Sequence, residues 1–265
     1  MRVSQEFGQV AVEVEGNGPL VVCVPGMGES RASFRHLLPG LAAAGYRAAA
    51  MDLRGHGDSA VEFDAYDDPA TARDILAVIE ALGGRAAAVI GNSMGAAAAV
   101  IAAAENPDAV GRLVLIGPFV RDHGPAAMRG VMRALLAKPW GPAVWSRYHA
   151  SLFGERRPDD HDEQLRRTHA LLRRPGRWRA FQQTARTSHA PAEAMLGRVA
   201  SPALVVMGER DPDFRDPEAE AVWIAQALRG QHRMIPGAGH YPQAEQADAV
   251  LAEVLAFLAE EGAHG

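Results

Sequence analysis

Apolar residues in this chain fall into two patterns that alternate along its length. Short apolar runs at Leu20–Val24, Arg47–Met51, 86–90, 113–116 and 203–207 read as strands buried on both faces. A sixth run, 232–235, is shorter and more polar. Near the start, Val10, Val12 and Val14 alternate with Ala11 and Glu13, which predicts a hairpin over 3–14 before the turn Gly16-Asn17-Gly18-Pro19. Between the runs lie stretches of helical length at 34–44, 69–82, Met94–Glu105 and 218–228, and an amphipathic stretch, 248–260, follows the last run. Such alternation predicts an α/β fold, a mostly parallel sheet with helices on both faces.

One interval departs from the pattern. Residues 119–190 hold no convincing strand but four helix-like pieces, punctuated by Pro125, Pro139, Pro142, Pro158 and Pro175 and carrying Trp140, Trp145 and Trp178. Ligands of open α/β sheets bind beyond the carboxyl ends of the strands, so an insertion leaving the sheet there is expected to overhang the site. The expected organisation is a core of residues 1–118 and 191–265 with a helical cap, or lid, of 119–190.

Composition changes this picture little. With 48% apolar and 22% charged residues, the chain is globular in type, and a net charge of −5 gives no reason to expect nucleic acid as a partner. Lys138 is the lone lysine and alanine is frequent, a bias with no functional reading. No apolar run approaches the roughly 18 residues of a membrane span. The N-terminal stretch has no recognisable secretion signal, and Cys23 is the single cysteine, so a cytoplasmic location without a disulfide is expected. Neither C-x-x-C nor H-E-x-x-H occurs, and no metal or cofactor is expected.

The chemistry centres on Gly91-Asn92-Ser93-Met94-Gly95, which follows one apolar strand directly and precedes an alanine-rich helix. A serine on such a sharp strand-to-helix turn needs neighbours with almost no side chain, hence a glycine two residues to either side. The helix that follows aims its N-terminal amides at the site. A serine hydroxyl needs a base, and His240 in Gly237-Ala238-Gly239-His240-Tyr241-Pro242 lies in the loop before the last helix. His36, His149, His161 and His169 fall on predicted helices and read as solvated surface groups. Asp211, after the 203–207 strand, lies between serine and histidine in chain order, as the acid of such triads does; Asp213, Asp216 and Asp122 are its competitors. The oxyanion donors are expected to be the amides of Met94 and of Met27 in Pro25-Gly26-Met27-Gly28, with Gly26 and Phe119 beside the substrate.

On these residues the chain resembles the α/β-hydrolase superfamily, in its capped branch. Asp52-Leu53-Arg54-Gly55-His56-Gly57-Asp58-Ser59 and Gly237-Ala238-Gly239-His240 extend the likeness over nearly the whole length. The resemblance implies eight strands, the first pair antiparallel to the rest, and a triad of Ser93, Asp211 and His240. It implies an architectural role for the loop holding His56. Relatives that open epoxides or remove halides use aspartate where this chain has Ser93, and many relatives have His-Gly where it has Pro25-Gly26. The expected activity is hydrolysis of a carboxylic ester with a small to medium, mostly apolar acyl group. Alternatives are cleavage of a carbon–carbon bond in a diketone-like metabolite, or ligand binding and signalling on the same scaffold. The expected partner is a small-molecule substrate, and oligomeric state is unreadable.

Overall fold

The computed structural model describes residues 1–123, 130, 131 and 134–260. Its eight-stranded sheet comprises β1 (Arg2–Gln5), β2 (Gly8–Glu15), β3 (Leu20–Val24), β4 (Arg47–Met51), β5 (Ala87–Asn92), β6 (Val110–Ile116), β7 (Ala203–Gly208) and β8 (Gln231–Ile235), in the order β1-β2-β4-β3-β5-β6-β7-β8. The helices are α1 (Leu37–Ala43), α2 (Asp68–Ala81), α3 (Met94–Glu105), α4 (Gly141–Ser151), α5 (His161–Arg173), α6 (Arg177–Thr184), α7 (Ala190–Met195), α8 (Pro217–Leu228), α9 (Pro242–Glu245) and α10 (Ala247–Ala259).

The expectation for the first two strands needs correction. β1 pairs antiparallel with β2, and β2 antiparallel with β4, while every later pairing is parallel. The hairpin reverses the chain once and β2 sits between β1 and β4. Only β2 therefore opposes the rest.

Successive residues along the inner strands point to opposite faces of the sheet, so residues two apart share a face. Val22, Val24, Val89, Leu113, Leu115, Val205 and Met207 pack towards α2, α3 and α8. Val21, Cys23, Ile90, Val114, Ile116, Leu204 and Val206 pack towards α1 and α10. Within α3, Ala96 to Ala99, Ala102 and Ala103 are all fully buried. Small side chains on every side of this helix let it sit close to both the sheet and α2, so the alanine excess has a packing use here.

The loop after β4 is held by buried charge. Asp52 accepts from the amides of Arg31 (2.7 Å) and Asp58 (2.8 Å) and from the Arg31 guanidinium. A Cβ on Gly57, whose φ is +50°, would stand 2.2 Å from the Asp52 carboxyl. Arg54 makes two 2.8 Å hydrogen bonds to Asp74 on α2, and His56 is buried with Nδ1 3.0 Å from the Arg54 carbonyl.

Between β6 and β7, helices α4, α5 and α6 share an apolar cluster of Leu136, Trp145, Leu172, Trp178 and Phe181. Helix α7 returns to the main layer, where Ala192 joins the α2/α3 side of the core. The solvated reading of the helix histidines fails for two of them, since His149 and His161 are buried. His149 lies one helical turn from Trp145 and therefore shares its inward face, stacked on the indole at 5.6 Å. Its Nε2 is 2.6 Å from Glu29 Oε1 in the loop after β3, and its Nδ1 is 3.1 Å from His169 Nε2.

Asp74→Ala leaves the Arg54 guanidinium buried without its carboxylate. It should lower unfolding free energy by about 3–5 kcal/mol, read as a fall in the thermal and denaturant midpoints.

Candidate active site

At the carboxyl end of β5 the chain must turn into α3 through one residue. Ser93 takes φ 55° and ψ −121°, a region that costs a non-glycine residue about 1–3 kcal/mol. Its neighbours allow no side chain. A Cβ on Gly91 would stand 2.5 Å from the Gly95 carbonyl oxygen, and one on Gly95 would stand 2.4 Å from that of Val24. The Ser93 amide donates to Ile116 O at 3.0 Å, and the Asn92 side chain donates to Ile116 O (3.0 Å) and His240 O (3.2 Å). Asn92 thus ties this turn to the His240 loop.

That loop is organised by a carboxylate the sequence reading passed over. Glu245 accepts from the amides of Gly239 (3.0 Å), Tyr241 (3.0 Å) and Gly154 (2.7 Å). The His240 amide donates to Leu152 O at 2.8 Å, just beyond α4. Within this frame His240 Nδ1 lies 2.7 Å from Asp211 Oδ2, with both side chains buried. Gly117 completes the fit, since a Cβ there would stand 3.2 Å from His240 Nδ1 and 3.3 Å from Asp211 Oδ2.

The competing aspartates do other things. Asp213 Oδ2 is 3.8 Å from His240 Nδ1, and Asp213 accepts a hydrogen bond from Tyr148 on α4. Asp216 caps α8 by accepting from the Ala219 amide (3.0 Å), and Asp122 accepts from the Ser188 hydroxyl (2.6 Å) and the His189 amide (2.9 Å). Burial works against a charged imidazole at His240. The Asp211 charge and hydrogen bond, helped by Asp213 and Glu245, outweigh it and push the pKa up to about 9.

Ser93 and His240 line one cavity of about 200 Å³ together with Met27, Met94 and Phe119. No direct hydrogen bond joins Ser93 to His240 among the described residues. Gly26 stands against Ser93, where a Cβ would lie 2.8 Å from the Ser93 Cβ. Met94 is the first residue of α3, so its amide has no intrahelical acceptor. The rest of the wall includes Trp145, Tyr148, Leu152, Thr184, Thr187 and His189, all from the segment between β6 and β7. Those residues were not legible in advance, because only the folded chain brings them over Ser93. The lining of the cavity is mainly apolar, with Tyr148, Thr184, Thr187 and His189 adding polar groups.

Residues 19–247 match the α/β hydrolase fold family, and the chain belongs to it. Among relatives, it is 39% identical over 140 residues to epoxide hydrolase B of Mycobacterium tuberculosis, a match covering 52% of this chain and 37% of that protein. It is 29% identical over 261 residues to a 2-hydroxy-6-oxo-6-phenylhexa-2,4-dienoate hydrolase of Burkholderia cepacia, over 95% of this chain and 88% of the relative. In fold it is similar to the enol-lactonase of Burkholderia xenovorans LB400 (TM-score 0.81, 22% identity, 96% and 97% covered). It is also similar in fold to a thermophilic esterase of Thermogutta terrifontis (TM-score 0.80, 22% identity, 97% of each chain). No described helix is long and apolar enough to cross a membrane.

The His240 ring should titrate above the ordinary imidazole value of about 6.5. Its raised folded pKa makes the linked stability complete below that value and lost as pH rises through about 9. Imidazole proton resonances followed against pH measure the midpoint directly. Asp213→Asn should bring it down and Asp211→Asn further down, because each removes a negative charge beside the ring.

Proposed function

We propose that the chain is a serine hydrolase that cleaves a carboxylic ester through an acyl-enzyme. The observation that carries this reading is the 2.7 Å contact with Asp211 made by His240, which lines one cavity with the strained Ser93. With Nδ1 engaged by Asp211, the other ring nitrogen, Nε2, takes the Ser93 proton as Oγ attacks the carbonyl carbon. The amides of Met27 and Met94 receive the oxyanion. Collapse expels the alcohol, which leaves with the proton carried by His240. Water then gives a proton to the same nitrogen and attacks the acyl carbon, and the acid is released as His240 returns that proton to Ser93 Oγ. Asp211 holds the imidazole in the useful tautomer and balances its charge.

Residues 119–190 serve in this reading as a cap over Ser93, with Trp145, Tyr148, Leu152 and Thr184 shaping the acyl pocket. A second reading keeps the same triad for carbon–carbon cleavage of a diketone-like acid. It is favoured by the likeness to the Burkholderia cepacia dienoate hydrolase over 95% of the chain. Serine at position 93 counts against the aspartate chemistry of epoxide opening, despite the partial likeness to epoxide hydrolase B.

A fluorophosphonate probe should label Ser93, and wild-type protein should hydrolyse short aryl esters. Ser93→Ala should abolish both while leaving the unfolding midpoint nearly unchanged, and Asp211→Asn should lower kcat by roughly 10⁴-fold through the wrong tautomer. Because the base must be neutral, kcat/KM should rise with pH, its ascending limb lying above the ordinary imidazole range. Full turnover by a folded Ser93→Ala protein would sink the proposal. Cleavage confined to vinylogous diketones would select the second reading.

A further inference from the structure

The cavity wall holds a second imidazole fixed by a carboxylate. His189 Nδ1 lies 2.7 Å from Asp68 Oδ2, and the Asp68 side chain is wholly buried at the first turn of α2. The Thr187 hydroxyl stands 3.5 Å from Asp68 Oδ1 and 3.4 Å from the Asp68 amide. Asp122 fixes the backbone by accepting from the His189 amide at 2.9 Å. Ring and main chain are both held, yet Asp68 engages only one ring nitrogen, and His189 lines the same cavity as Ser93. The Phe119 ring lies between the two imidazoles, 5.9 Å from His189 and 5.7 Å from His240.

Charge narrows what such a group is for. None of the described residues lining the cavity is an arginine or a lysine. Arg121, two residues beyond Phe119, is spent on Glu220 with bonds of 3.0 and 2.5 Å and lies 3.8 Å over the Trp223 ring. A buried carboxylate is costly unless paired with a cation. His189 is the group in place to pair with Asp68, which it meets through Nδ1. As an ion pair with Asp68, His189 would offer its other ring nitrogen as a charge-assisted donor, suited to a carboxylate oxygen.

We infer that His189, positioned by Asp68, is a specificity-determining residue that binds a carboxylate carried on the acyl part of the substrate. The substrate class is thereby an ester, lactone or keto compound bearing a second, anionic oxygen group. This rests on the hydrolase reading for its placement at the acyl side, but the binding contact stands apart from turnover.

The test compares 4-nitrophenyl butyrate with 4-nitrophenyl hemisuccinate, which replaces the terminal methyl by a carboxylate. Wild type should prefer the hemisuccinate. In His189→Phe the hemisuccinate-to-butyrate ratio of kcat/KM should fall about tenfold or more, mainly through KM, as loss of a charged hydrogen bond predicts. Asp68→Asn should move the ratio the same way. His189→Gln, which keeps a polar side chain without charge, should also lose the preference if the phenylalanine variant does not fold. No wild-type preference, or a ratio unmoved by His189→Gln, overturns the proposal. If neither ester is turned over, the hydrolase reading has failed, and binding of monomethyl succinate decides the subsite. Calorimetric binding to wild type that His189→Gln abolishes upholds it, while equal binding or none overturns it.

Discussion

The constraint on which the site depends is the single-residue reversal at Ser93. A parallel strand in the middle of the sheet ends there and a buried helix begins, with no loop to absorb the change of direction. The backbone is forced to φ 55°, and Gly91 and Gly95 are each pressed within 2.5 Å of a carbonyl oxygen by the measure of an added Cβ. Such strain persists only where the surroundings over-determine it. The surroundings here are the Ile116 carbonyl, the Asn92 side chain and the alanine helix packed against the sheet. Because Asn92 also reaches the His240 carbonyl, the strain and the position of the imidazole are parts of one arrangement.

Much of the frame could be read from period and spacing. The runs at 20–24 and 47–51 coincide with β3 and β4, and the Met94–Glu105 stretch with α3. Unbroken apolar strands and an all-buried alanine helix leave few alternatives for which face is inside. At the edges the pattern weakens. β6 starts at Val110 rather than 113, because Gly111 and Arg112 lie where one face is half open. The direction of β1 escaped the reading because strand order, not hydrophobicity, determines it.

Side chains whose role depends on distant partners were largely illegible. Glu245 is an unremarked helical glutamate in sequence, yet three amides converge on it. His149 and His161 read as surface groups on their helices, and nothing local tells that Glu29 and His169 meet the first from another loop and another helix. His189 precedes a proline-containing helix and looks like a turn residue until α2 brings Asp68 against it. The residues named for spacing around glycines stand beside the cavity, whereas its far wall, from Trp145 to His189, is assembled only by tertiary contacts.

Helix α4 joins the two levels. Its Trp145 packs over Gly28 in the loop after β3, its His149 meets Glu29 in that loop, and its Tyr148 donates to Asp213 beside His240. Just past its end, Leu152 receives the His240 amide and Gly154 donates to Glu245. A segment that only covered the cavity could be exchanged without disturbing the His240 loop. This one supplies hydrogen bonds to the His240 loop and packing to the loop that holds Met27. Changes of substrate range made through α4 are therefore coupled to the geometry around Ser93. The freer surface for altering specificity is the 184–189 segment, which contacts the cavity without bonding the His240 loop.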